Sequence, residues 1–289
     1  MRTTIFSSIL MLCIACFGCF KKTNPPCDVV VSIPPYLYFV EKLMGDTIAA
    51  TSLVPEGANP HLYEPSPKEI ARARTAKVWI RLSEHFEKKI LTAWQEENPK
   101  LISLNLAEKI DLPPLPDKKN SCRCCAHHKD QIDLHFWLSL RLAKQQAELI
   151  ACTLIEAFPE KQVLIEENLV AFLKEMEDLD INITKQLAPF AGEAILVSHP
   201  AFAYFCYDYC LKQISIEQEG KDPLPKEISS LTELAKETHI QVVLTQAQYN
   251  NKGAELIANQ LHLPIHEVDP YSANYLKNFL FIANCIQNP

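Results

Sequence analysis

Three histidines and one aspartate stand out because each closes a strand-like run or opens a helix: His61, His135, His199 and Asp269. His61 lies in GANPHLYEPSPKE, between Pro60 and Pro65. Just after it, Ser66, Pro67 and Glu69 read as a capping box with proline at the first helical position. His199 directly follows the apolar run Ala194–Ser198, and Asp269 follows Ile265–Val268 and precedes Pro270. His135 sits in DLHFWLS, ahead of a long helical pattern. Neutral imidazoles suit Zn²⁺, while a carboxylate lowers the charge of the site and adds an oxygen donor that suits Mn²⁺. Four protein ligands fill a tetrahedral shell, whereas a catalytic zinc keeps one position open for water. No HExxH supplies a general base. Taken singly, each residue has a plainer reading, as a surface or helix-capping histidine or a turn-opening Asp-Pro. Their shared place at strand ends argues for one metal site, because open α/β sheets bind ligands along that edge.

The elements that must carry these residues alternate. Strand-like runs are expected at Asp28–Ile33, Thr47–Val54, Lys77–Leu82 and Leu101–Leu104, with helical patterns at Tyr36–Met44, Lys68–Arg74 and Glu84–Gln95. Such alternation predicts a parallel sheet with helices on its faces. A Pro-, Lys- and Cys/His-rich loop follows over 106–132, then helical stretches at Phe136–Phe158 and Glu160–Leu187. The second is framed by Pro159 and Pro189, and at 1.5 Å per residue it runs roughly 40 Å. Its apolar positions, among them Val163, Leu164, Phe172, Met176, Ile181 and Ile183, make a loose stripe that suits a helix passing two bodies. Alternation then resumes, with strands at Ala194–Ser198, Gln213–Glu217, Ile240–Thr245 and Ile265–Val268. Helices fit at Ala201–Cys210, Lys226–Thr238, Gly253–Leu261 and Tyr271–Ile286. The fold class is therefore α/β: two βα lobes joined by a single long helix, with the site in the cleft. The expected boundaries are 28–159, 160–189 and 190–289.

Composition removes several function classes. A net charge of −7 without a Lys/Arg block argues against a nucleic-acid surface. Only 6 glycines, and neither GxGxxG nor GxxxxGK[ST], speak against a phosphate-cradling loop. Residues 1–18 read as a secretory signal: Met1-Arg2, then the apolar run Ile5–Phe17. Gly18-Cys19 resembles a lipobox, with 19–27 as a tether; Cys16 and a plain cleaved signal are the alternatives. The chain is thus expected to work outside the cytoplasm, anchored through Cys19. Of the later cysteines, Cys152 reads as core, and Cys206 and Cys210 read as small buried groups sharing a helix face. Cys122, Cys124, Cys125, His127 and His128 form an expected auxiliary metal loop, with an oxidised cysteine pair as the plainer alternative. His85, His239, His262 and His266 carry bland readings, and Glu64 is read as a solvated charge before a carboxylate partner for a ligand histidine.

The motifs SIPPYLYFVEKLMGD, PEGANPHLYEPSP, DLHFWLS, ILVSHPAFAYF, LTQAQYNNK and EVDPYSANYLKNF, in this order, resemble the metal-specific substrate-binding lipoproteins of bacterial ABC importers for zinc and manganese. The resemblance covers nearly all of the chain from residue 28. It implies two lobes joined by a rigid helix, metal held between them by His61, His135, His199 and Asp269, and an ABC permease as partner. A monomer, no enzymatic activity and Zn²⁺ ahead of Mn²⁺ are implied with it. The chain departs from the family's usual pattern at Asp133-Leu134-His135 and at Thr245-Gln246-Ala247-Gln248, where the family often has Asp-Pro-His and Thr-Glu-Pro-Gln. Other readings are a manganese or iron receptor, a zinc hydrolase with Asp269 as base, and an adhesin whose metal is structural.

Overall fold

Short β-branched and apolar runs set the frame of the protein, seen in a computed structural model that describes residues 27–115, 132–217 and 223–289. The first lobe contains β1 (Val29–Val31), α1 (Pro35–Met44), β2 (Ala50–Ser52), α2 (Pro67–Ala73), β3 (Val78–Arg81), α3 (His85–Glu97), β4 (Ile102–Asn105) and the one-turn α4 (Leu106–Lys109). Then come α5 (Leu140–Ala157) and α6 (Gln162–Leu187). The second lobe follows as β5 (Ala194–Val197), α7 (Ala203–Asp208), β6 (Lys212–Ser215), α8 (Pro225–Glu237), β7 (Val242–Gln246), α9 (Lys252–Leu261), β8 (Ile265–Val268) and α10 (Tyr275–Gln287). Both sheets are four-stranded and parallel in every pair, with orders β2-β1-β3-β4 and β6-β5-β7-β8. The order is the same in both lobes: the first strand lies second and the chain winds outward on each side. The crevice at the carboxyl ends of β1 and β5 is thereby built twice, once in each lobe.

The helix α6 is the shared spine. Its 26 residues span about 39 Å at the standard rise. Ile165, Phe172, Met176, Ile183 and Leu187 are buried at spacings of seven, four, seven and four, which is a regular helical stripe. Val163, Val170 and Ile181 lie exposed, so the looseness expected from the sequence came from apolar residues on the solvent face. Phe172 stands edge-on to Phe39 of α1, with ring centroids 5.2 Å apart. The chain's last helix returns to the first lobe, where Tyr275 packs against Phe39 at 4.9 Å and Tyr38 at 6.1 Å. One continuous apolar cluster accordingly runs from β1 through α1, α5 and α6 to β5, β7 and α10. A smaller cluster fills the space between the second sheet and α8 and α9.

Several local expectations change. Cys152 is exposed rather than core. The helix α7 stops at Asp208, and Cys210 lies beyond it in the left-handed region (φ 57°), exposed, so it does not share a helix face with buried Cys206. His239 and His262 also hold left-handed backbones (φ 53° and 54°) just after α8 and α9, positions commonly filled by glycine, in a chain that has only 6. No described helix is long and apolar enough to cross a membrane. The expected signal, the Cys19 anchor, and Cys122, Cys124, Cys125, His127 and His128 lie outside the described residues.

Candidate metal centre

The loop after β2 presents His61. Asn59 folds it locally: its Oδ1 accepts from the His61 N–H at 3.0 Å, and its carbonyl accepts from the Leu62 N–H at 3.2 Å. Gly57 at φ 79° supplies a left-handed residue four positions before His61, and Pro60 is buried. The far end of the loop is pinned by the capping box of α2, in which Ser66 Oγ accepts from Glu69 N–H and Glu69 Oε2 accepts from Ser66 N–H at 2.7 Å. Tyr63 also donates to Glu69 Oε1, at 2.8 Å.

His135 opens a 3₁₀ turn, Phe136–Leu138, that feeds α5. Asp133 Oδ1 accepts from both the His135 backbone N–H at 2.9 Å and its Nδ1 at 2.8 Å, which orients the ring from two directions. His199 follows β5 and is gripped by Gln246 at the end of β7. The Gln246 Oε1 accepts from the His199 N–H at 2.6 Å, and its Nε2 donates to the His199 carbonyl at 3.0 Å. A carboxylate at position 246 could only accept, so the amide there is the group that satisfies both backbone atoms.

These three loops bring the imidazoles together. One ligand atom from each of His61, His135 and His199 lies within 4.8 Å of the others. Ring centroids are 5.2, 5.2 and 5.1 Å apart, close to an equilateral triangle. The Nε2 atoms of His61 and His135 are 3.3 Å apart. Metal–nitrogen bonds of about 2.05 Å put tetrahedral ligands about 3.3 Å apart, so this pair already has the spacing zinc asks for. Each ring turns its Nδ1 to a carboxylate: Glu84 at 3.3 Å for His61, Asp133 at 2.8 Å for His135 and Glu217 at 2.9 Å for His199. That leaves the Nε2 side of each ring facing inward, and the carboxylates raise its basicity.

Burial and neighbouring charges shape the protonation of His61 and His199. Burial alone would push His61 down, but the charge of Glu84 and its hydrogen bond outweigh it and raise the imidazole above 6.5. His61 in turn holds Glu84 below the usual carboxylate range, against the burial that opposes it. His199 is driven well below 6.5 by burial and by the charges of His135 and His61.

Asp269 lies outside the group of three. Its Oδ1 accepts from Gln248 Nε2 at 2.8 Å and from the Tyr271 N–H at 2.9 Å. Tyr271 instead reaches the centre, with its hydroxyl 3.1 Å from His135 Nε2 and 3.4 Å from His61 Nε2. Tyr249 hydrogen-bonds that hydroxyl at 2.9 Å and stacks on His199 at 4.0 Å with an 8° interplanar angle. Glu64 pairs with Lys89 on the surface, so Glu84 fills the partner role weighed for Glu64. Glu84, Glu217, Tyr249 and Tyr271 were given no role from the sequence, although Tyr249 and Tyr271 lie in the motifs LTQAQYNNK and EVDPYSANYLKNF. Glu84 looked like the first residue of a helix.

Comparison with known proteins finds relatives along most of the chain. The profile of a family described as ZnuA, zinc-uptake complex component A, periplasmic, matches residues 29–288. A putative metal-binding protein of Chlamydia trachomatis serovar D is 30% identical over 262 residues, covering 90% of this chain and 91% of that one. A metal ABC transporter substrate-binding lipoprotein, SsaB, of Streptococcus sanguinis is 26% identical over 287 residues, covering 92% and 89%. A crystal structure of ZnuA superposes with a TM-score of 0.81 at 34% identity, over 91% of this chain and 98% of that chain.

Proposed function

The chain belongs to the zinc-uptake component A family, and from that premise we propose that it is an extracytoplasmic receptor that captures Zn²⁺ and hands it to an ABC permease. The observation that carries this reading is the buried triangle of His61, His135 and His199, contributed by both lobes. Imidazole nitrogens suit Zn²⁺, and three carboxylates behind them offset its charge. His61, His135 and His199 are the proposed ligands, with Asp269 hydrogen-bonded to Gln248 and to the Tyr271 N–H beside them.

A hydrolytic role finds no support in these residues. The carboxylates nearest the imidazoles are each tied to a ring nitrogen, and Asp269 is held by Gln248 and Tyr271. The protein is proposed to act without catalysis, as a monomer anchored through Cys19.

Metal analysis and zinc titration of the purified protein test the reading. About one zinc per chain is expected, with a raised melting temperature on zinc addition and loss of tight binding in His61→Ala and His199→Ala. A protein that carries no zinc and shows no thermal shift with zinc would refute it.

A further inference from the structure

We infer that the Tyr271 hydroxyl, rather than the Asp269 carboxylate, supplies the fourth donor to the bound metal and biases the site toward tetrahedral zinc. The inference rests on the zinc-receptor reading above and deepens it.

The geometry is specific. Four ligands of a tetrahedral zinc are separated by about 3.3 Å. The His61 and His135 Nε2 atoms are 3.3 Å apart, and the Tyr271 oxygen is 3.4 Å from the first and 3.1 Å from the second. The oxygen therefore stands at tetrahedral spacing from two corners of the site. Tyr271 is buried, 1% exposed, and its ring packs on Trp137 at 5.4 Å, so the hydroxyl has little freedom to leave. Trp137 is itself fixed to the same loop, donating from Nε1 to the Pro270 carbonyl at 2.9 Å.

Asp269 has the opposite arrangement. Its Oδ1 closes a turn onto the Tyr271 N–H, accepts from Gln248, and its backbone carbonyl accepts from Asn278 Nδ2 at 2.8 Å. These contacts make Asp269 a brace that aims Tyr271 inward. Tyr249 is the second brace, joined to the Tyr271 hydroxyl and stacked on His199.

The donor type has a consequence for selectivity. A carboxylate can bind through two oxygens and enlarge the shell, which suits Mn²⁺, whereas a phenolic oxygen offers one position. With three imidazoles it completes four, the number zinc prefers.

The test is zinc and manganese affinity by chelator competition for the wild-type protein, Tyr271→Phe, Asp269→Asn and His61→Ala, together with a crystal structure of the wild-type zinc complex. Tyr271→Phe should weaken zinc at least about tenfold and narrow the zinc-over-manganese preference, while Asp269→Asn, whose amide oxygen still accepts from the Tyr271 N–H and from Gln248, should lose less than Tyr271→Phe. The crystal structure should place the Tyr271 oxygen about 2.0–2.2 Å from zinc. An Asp269 oxygen or a water in that place, or an Asp269→Asn loss exceeding that of Tyr271→Phe, would overturn the assignment. The crystal structure decides even if a variant folds poorly. Zinc affinity unchanged in His61→Ala would instead sink the receptor reading itself, so the two failures are distinguishable.

Discussion

Replacing Glu84 with Gln should weaken zinc binding by an amount that grows with pH. Glu84 is 3% exposed and faces His61 Nδ1 at 3.3 Å, across the ring from the centre. Its charge lies about 6–7 Å from a metal bound at Nε2, and two charges attracting one at an effective dielectric near 20 amount to roughly 5 kcal/mol. That figure is an upper bound, because the metal-free protein also uses the charge. Glu84 holds the His61 imidazole above 6.5, so below that region a proton already occupies the partner that zinc would use. Removing the carboxylate there costs both states, and the loss in zinc affinity is small. Above it His61 is neutral without metal, and only the zinc complex loses the carboxylate. The net effect at high pH should be about 10- to 100-fold, or 1.4–2.7 kcal/mol. Competition titrations of the wild-type protein and Glu84→Gln from pH 5.5 to 8.5 read the ratio of their dissociation constants. The ratio should rise from near one to its plateau. A ratio that is flat across the range would mean that the substitution merely disturbs the loop, and the coupling between Glu84 and His61 would be refuted.

Burial lifts the Glu87 carboxyl from 4.5 to about 7, against hydrogen bonds from Ser32 and the Leu82 N–H that favour its charge. The folded state keeps this proton where the unfolded chain has lost it, so stability should fall as pH rises from 4.5 to about 7. The full effect is of order 3 kcal/mol, and urea melts of the metal-free protein should show it as the difference between wild type and Glu87→Gln. Identical pH slopes for the two proteins would contradict it. Phe172→Ala should cost about 3–5 kcal/mol by emptying the space between α6 and α1. A loss under about 1.5 kcal/mol in the same melts would show that the spine does not depend on that ring.

The fold was legible because its signals are local. β-branched runs, proline-bounded helices and the Ser66–Glu69 capping box are each read over a few residues, and nearly every element stands where they predicted it. The histidines were legible for the same reason, since strand ends in an α/β chain are few. Their carboxylate partners were not. Glu84 meets His61 across 23 positions, and Tyr271 meets it across 210. Neither spacing is a period of any helix or strand, so only the assembled lobes reveal the contact. Gln246 looked like the loss of a carboxylate, and in the structure its amide does what a carboxylate cannot. Gln246 both donates to and accepts from His199, and Gln248 donates to Asp269. Solvent-face apolar residues misled in the other direction: Val163 and Ile181 blurred a stripe that is regular once the buried positions alone are counted.

The repeated strand order explains why the centre needs both lobes. His61, His135, Glu84 and Asp133 come from the first half of the chain, and His199, Glu217, Tyr249 and Tyr271 from the second. Neither half offers zinc more than two imidazoles. The spine α6 and the returning α10 both pack on α1 through Phe172, Tyr275 and Phe39. Each imidazole also arrives already tethered by its own carboxylate, so little ordering remains to oppose binding. Because the His61–His135 spacing already matches a tetrahedral edge to within a few tenths of an ångström, a shift of about 1 Å between the lobes would leave zinc with two good bonds and a poor third.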